Sequence, residues 1–414
     1  MFRRVVSLLL LSIIFTGSFA FADENTIITV EKAIEMATED SSNIDKIDDS
    51  IEKLWKNYRA AIEGKNKIQE SLNTIEKFRE LYEKKYDEKE ILTLEEEIEL
   101  KAYTNIFGKL PPVYSGQEML DNFIKARDFG YYSLYAEIQK LKNTRKTINP
   151  SMEAGVRNLY NQVIGLQNTL KLQEEYLAIS KEKHEATQMK YDVGQVSAYD
   201  VKISELNLNV LEKQIEQLQI NLDTLEMNFN QLIDAEVTMK YVLEDTIDSV
   251  EDIYAVEPLH NELDVYLADA IQNRSEVKNA RISLGVKERE DSIIKMYLTN
   301  ELLTDRVNAD IALIKAQNDL EVAEASVKDN VSDGYIQTLT YWNDYQFSIE
   351  SLKIKQNNYE DMLKRNELGQ VIDSDLALVK YQVTMAEDAV KTNLRNYLNS
   401  IDKMEKATGI GPAY

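Results

Sequence analysis

From Leu211 onward apolar residues recur at Ile215, Leu218, Leu222, Leu225, Phe229 and Leu232, in steps of 4, 3, 4, 3, 4 and 3. That alternation keeps one stripe of a helix facing a partner, the pattern of a coiled-coil seam. A second seam runs through Leu376, Val379, Val383, Ala386, Val390, Leu394, Tyr397, Ile401 and Met404. One extra residue between Val390 and Leu394 shifts its superhelical phase. Upstream of the first seam, Val156, Leu159, Val163, Leu166 and Leu170 carry the same spacing, which resumes at Leu177. A heptad helix therefore arrives at Gly194 as well as leaving it.

Two related breaks separate arrival from departure: Tyr191-Asp-Val-Gly-Gln-Val-Ser-Ala-Tyr-Asp200 and Asn366-Glu-Leu-Gly-Gln-Val-Ile-Asp-Ser-Asp375. Gly194 and Gly369 suit the left-handed conformation that ends a helix. Ser197 suits the N-cap of the first returning helix, and Asp373 or Ser374 that of the second. Asp200 and Asp375 fall in the first turn, where a negative charge is favoured by about 0.3–1 kcal/mol. The pattern predicts two antiparallel helical hairpins with tips at these glycines, in a mainly all-α chain.

The halves are written to one plan. Thr29 to Ile44 aligns with Glu262 to Val277, Ala37 over Ala270 and Ile44 over Val277. Residues 23–257 read as a first repeat and 258–414 as a second. The first copy is longer, and the surplus falls at about 64–149, around the Pro/Gly cluster Gly108-Lys-Leu-Pro-Pro-Val-Tyr-Ser-Gly116. It is expected as an inserted helical lobe. Residues 234–258 read as the linker between copies.

Composition narrows the class. Thirteen glycines and five prolines in 414 residues leave long uninterrupted helices. Arg3 and Arg4, an apolar run Val5 to Phe15 and Ala20-Phe-Ala22 read as a signal peptide over residues 1–22. The run is shorter than the roughly 20 residues that span a bilayer, and no later segment is longer. There is no cysteine, which removes disulfides, thiolate metal sites and thiol nucleophiles. The net charge of −24 repels nucleic acid and anionic headgroups. His184 and His260 are the only histidines, and neither has a second ligand at metal spacing. Glu95-Glu96-Glu97 reads as a solvated face. With no phosphate-binding loop either, the chain reads as a non-enzyme without cofactor or metal.

The duplicated order of short helix, long helix, tip and heptad helix, with Tyr-x-x-Gly-x-x-Ser-x-x-Asp at the first tip, resembles the TolC-like outer-membrane efflux proteins. The resemblance implies a homotrimer in which each subunit gives two hairpins to a hollow α-barrel. It implies an exported protein of the outer membrane whose tips meet a membrane-fusion (adaptor) protein and an inner-membrane pump. Tyr191, Gly194, Gln195, Val196, Ser197, Gly369, Gln370 and Val371 would form the docking tips, and Asp200 and Asp375 the acids of the entrance. Two positions depart from the family pattern. A second constriction aspartate falls on Leu378, and a basic latch two places after the second glycine is Val371. The paired membrane strands, sought over residues 140–163 and 281–316, are not visible. Lys287 to Arg306 is charged on all sides and reads as continuing helix. A TolC-like subunit with little or no β-barrel is the first expectation. The second is a non-pore coiled-coil scaffold of the cell envelope.

Overall fold

The structure is a computed structural model that describes residues 27–39, 42–245, 247, 256–301 and 303–409. The segment read as a signal peptide lies outside them. Helices α1 (Val30–Glu39), α2 (Ser42–Tyr86), α3 (Leu94–Phe107) and the single turn α4 (Gly116–Met119) come first. A π-helical segment, Leu120–Gly130, leads into α5 (Tyr131–Asp192), which returns as α6 (Ala198–Leu232). Then follow α7 (Leu263–Asn273), α8 (Ser275–Tyr297), α9 (Thr304–Glu367) and α10 (Asp373–Thr408). Strands β1 (Ile27–Ile28) and β2 (Val242–Leu243) pair in parallel and are the only strands among the described residues. The helical-hairpin fold expected from the sequence is the fold observed.

The long helices lie side by side in a single layer. α5 has 62 residues and α9 has 64, roughly 95 Å each at 1.5 Å per residue. Toward the tips the order is α6, α5, α10, α9, each packed on the next, and α6 has no comparable contact with α10 or α9. Away from the tips α2 and α8 take the places of α6 and α10, so the order becomes α2, α5, α8, α9. A compact bundle would bring the first and last helices together; here both remain edges.

The seams bury the residues that the spacing selects. Leu211, Leu222 and Phe229 of α6 and Val156, Val163 and Leu170 of α5 are all buried. All of these except Leu211 meet in one core that also takes Ile28, Val30, Ala33 and Ala37. The Tyr160 hydroxyl lies 2.8 Å from the carbonyl oxygens of both Ile28 and Glu244, so it clamps the ends of β1 and β2 to α5. On α10, Val390, Leu394 and Tyr397 are buried, and Val390 and Leu394 pack with Tyr345 and Leu352 of α9.

α5 passes through Pro150 without ending. The lost backbone bond is offset because α2 and α8 hold this stretch from two sides: Arg145 pairs bidentately with Asp48 at 2.6 and 2.8 Å, and Asn143 bonds Asn279 at 2.9 Å.

The end opposite the tips differs from the expectation of continuing helix over 287–306. α8 stops at Tyr297, and α9 runs back antiparallel, as the Lys295–Asp310 and Arg281–Glu324 ion pairs show. The stop is made without glycine or proline. Leu298 and Ile294 are buried against Leu120, Ile124 and Ala309, and Arg306 donates to the Leu298 carbonyl at 2.9 Å. Tertiary burial thus imposes a turn that local composition does not announce.

α2 runs straight through Gly64, and α3 folds back on its far end to make a small lobe. Phe78, Leu81, Leu92 and Leu100 form the small core of this lobe, bounded by Lys77–Glu99 and Lys84–Glu96 ion pairs at 2.8 Å. The lobe is stitched to the rod where Gly116 meets the end of α8. A Cβ at Gly116 would lie 2.3 Å from the Tyr297 carbonyl oxygen, inside any tolerable contact. Gly116→Ala should therefore cost about 1–3 kcal/mol through forced backbone movement, read as a lower urea midpoint with exchange protection lost first around Leu120 and Leu298.

Candidate functional site: the two hairpin tips

Each tip is a helix stop followed by a restart. At the first, Gly194 has φ +77°, the Gln195 N–H donates to the Lys190 carbonyl, and that of Gly194 to Tyr191, both at 2.8 Å. Six-to-one closure across a left-handed glycine satisfies the carbonyls that the end of α5 leaves open. Ser197 then caps α6. Its hydroxyl accepts from the Asp200 N–H at 3.3 Å, while its own N–H and O–H donate to the Asp200 carboxylate at 2.8 and 2.7 Å. These bonds, the hydroxyl's first and the backbone's second, hold the Asp200 carboxyl below its ordinary 3.8. A lowered acid contributes fully above its unfolded value and is lost as pH falls below it, so this cap loosens only under about pH 4. Ser197→Ala should cost the first turn of α6 about 0.5–2 kcal/mol, visible as faster amide exchange at Asp200 and Val201.

The second tip shares the stop and differs in the restart. Gly369 has φ +71°, and the Gln370 N–H donates to the Arg365 carbonyl at 2.9 Å. Val196 and Val371 are the half-buried residues of the two turns, while Gly194, Gln195, Gly369 and Gln370 are exposed. Neither Asp373 nor Ser374 caps α10. Asp373 is already its first residue, the preceding Ile372 offers no side-chain acceptor, and the Asp373 carboxylate accepts instead from Asn366 Nδ2 at 2.9 Å. The same amide donates to the Val371 carbonyl at 2.9 Å, bridging the turn from within.

The tips are held beside one another through α5 and α10. Lys183 Nζ lies 3.5 Å from the Asp375 carboxylate, and Tyr176 stacks on Tyr381 with ring centroids 5.2 Å apart. Asp375 therefore joins the two hairpins, whereas Asp200 is committed to its own helix. His184 Nδ1 sits 3.0 Å from Ser204 Oγ within the first hairpin. An open groove of about 800 Å³ runs along this hairpin, lined by Tyr176, Lys183, Lys190, Tyr199, Asp200 and Ile203 among others.

Sequence reasoning passed over the apolar side chains that the tips expose. Met189, Val193 and Tyr199 at the first, and Leu368 and Ile372 at the second, are 59–73% exposed. Their signal was present in the sequence: Val193, Leu368 and Ile372 occupy turn positions that solvent alone would fill with polar residues. A second omission concerns the edges. α6 carries an exposed stripe Tyr199, Ile203, Leu206, Val210, Ile220 and Met227, and α9 one of Ile311, Ile314, Val322, Ile336, Phe347 and Ile354. Among the described residues no cluster of His, Asp or Glu could hold a metal, and no helix is long and apolar enough to cross a membrane.

No family model matches the chain, and no curated protein sequence does. Solved structures do. The chain is similar to a membrane protein from Pseudomonas aeruginosa at 10% identity, covering 92% of this chain and 90% of that one, with a TM-score of 0.60. It is similar to CusC at 10% identity, covering 92% of both chains, with a TM-score of 0.58. The open state of the Neisseria gonorrhoeae MtrE outer-membrane channel matches at 13% identity over 92% of this chain and 89% of that one, TM-score 0.58. The fold is that of the TolC-like outer-membrane channels. At these identities it is the fold that is shared. The TolC-like layer here turns at its far end through helix and loop.

Proposed function

We propose that this chain is an exported efflux-channel component in which three copies close into a hollow helical conduit. The observation that carries this reading is the open layer with apolar edges. α6 at one edge and α9 at the other each present an unpartnered apolar stripe. Because the two edges differ, joining α6 of one copy to α9 of the next is a head-to-tail contact, and such contacts close into rings when the rotation permits. A scaffold made of single chains would leave both stripes in water.

The halves serve as two copies of one hairpin plan, so a trimer supplies six hairpins whose tips lie at one end. There the exposed Val193, Tyr199, Leu368 and Ile372 give an adaptor protein an apolar footing, and Tyr191, Gln195, Gln370, Ser197 and the valines shape the turns that meet it. Energy for transport comes from an inner-membrane pump. Asp375 lies at the junction between hairpins, where a carboxylate biases an entrance toward cations; Asp200 acts chiefly through its cap. The experiment is native mass spectrometry of the chain lacking residues 1–22. A trimer supports the conduit, whereas a monomer at micromolar concentration returns the chain to the scaffold reading.

A further inference from the structure

The lobe presents an apolar surface that neither the hairpins nor the ring edges use. α3 packs on α2 through Leu100, Tyr103 and Phe107. On its other side Leu94, Ile98, Ala102 and Ile106 follow one another at intervals of four, a ridge that climbs the helix surface. Leu94 is 76% exposed, Ile98 62% and Ile106 69%. The flanking loops continue the character, with Ile91 97% and Val113 83% exposed. Loops that face only water are polar, and a helix apolar on opposite sides is built to be covered on both.

We propose that this ridge seats the far end of the rod on a zwitterionic lipid surface, as an interfacial contact that spans nothing. Placement supports a flat partner. α2 runs antiparallel to α5 and to the π-helical segment that leads into it, with Asp48 against Arg145 and Gln69 against Arg127. Residues 75–86 and α3 therefore project past the turn between α8 and α9, at the end opposite both tips. Size argues against a second protein surface. α3 has 14 residues, about 21 Å of helix, so its ridge offers on the order of 200–300 Å², against about 800 Å² per partner in a stable interface. Side chains exposed to this degree stand out from the surface, and fluid acyl chains receive such knobs without a matching hollow. Charge around the ridge is mixed with a small acidic excess, Asp87, Glu88, Glu90, Glu95 and Glu97 against Lys89, Lys101 and Lys109, which gives anionic lipid no advantage over a neutral headgroup.

The contact does not depend on ring closure, and its test is separate from the mass measurement. The chain from Asp23 to Tyr414 is floated with neutral phosphatidylcholine vesicles. The expected result is co-flotation that survives high salt and falls at least about 10-fold in Leu94→Glu/Ile98→Glu, with helix content and native mass unchanged. Leu110→Glu/Val113→Glu, outside the helix, should weaken it in the same direction and covers the case of a disturbed α3. Ile98→Trp should shift its emission to the blue on adding vesicles. Wild-type chain that stays unbound, or binds anionic vesicles alone, overturns the proposal. So does an Ile98→Glu variant that floats normally and loses native mass, because the ridge is then a contact between copies.

Discussion

Leu206→Asp/Val210→Asp is expected to yield monomers of normal helix content. Both side chains lie on the exposed stripe of α6, at 54% and 49% exposure, and neither belongs to the seam that packs on α5. The single chain therefore keeps its hairpin core. In the proposed ring the same positions would be covered by α9 of the next copy, where a carboxylate would meet apolar side chains without a partner. Removing a well-packed interface anchor costs about 2 kcal/mol or more, and two together cost about 4. At 1.4 kcal/mol per tenfold, association weakens by a factor on the order of 1000 at each of three joints. Native mass and light scattering read the result, and Leu206→Met, which keeps the surface apolar, should leave the assembly intact. A double aspartate variant that retains wild-type mass would remove α6 from the interface and the ring with it.

What the sequence disclosed follows from where local and tertiary preferences agree. The heptad seams were legible because Leu222 and Phe229 on α6, and Val390 and Leu394 on α10, each serve one face of their helix and one core. Gly194 and Gly369 were legible because a left-handed stop has few residue choices. The turn after Tyr297 was not, since it is held by Leu120 and Ile124 from a segment far away in sequence and by Arg306 from within. Pro150 sits inside α5 without ending it, as a helix clasped by two neighbours tolerates one missing bond. The β1–β2 pair is two residues long, too short for alternation to register. The edge stripes were hidden in plain view. Tyr199, Ile203, Leu206 and Val210 have heptad spacing of their own, but the stronger leucine seam beside them takes the eye. Among the tip residues, spacing found the turn-makers and missed the exposed apolar neighbours, which pack into no core of their own chain.

Arg395→Met is expected to have the largest effect on stability, at the joint between the layer and the segment that follows β2. The guanidinium reaches Asp245 through two bonds of 3.3 and 2.9 Å, with the two side chains only 6% and 18% exposed. Breaking a buried pair by removing one partner costs about 3–5 kcal/mol, because the surviving charge stays desolvated. Two carboxylates are affected. Asp388, half-buried on the same helix, already has its acid raised above 3.8, first by burial and then by Asp245, with Arg395 opposing. A raised carboxyl favours folding fully below its unfolded value, and that contribution is lost as pH climbs through the folded one. The charged Asp388 is thus tolerated near neutrality partly because Arg395 is present. Without it, the loss of stability should be greatest at pH 7 and shrink as the solution approaches pH 4, where the raised Asp388 carboxyl takes up a proton. Urea midpoints across that range test this, and Asp245→Asn added to Arg395→Met should recover a large part of the deficit at pH 7. A penalty independent of pH would mean that Arg395 acts through the packing of its methylene stem, and that the joint is held by shape and not by charge.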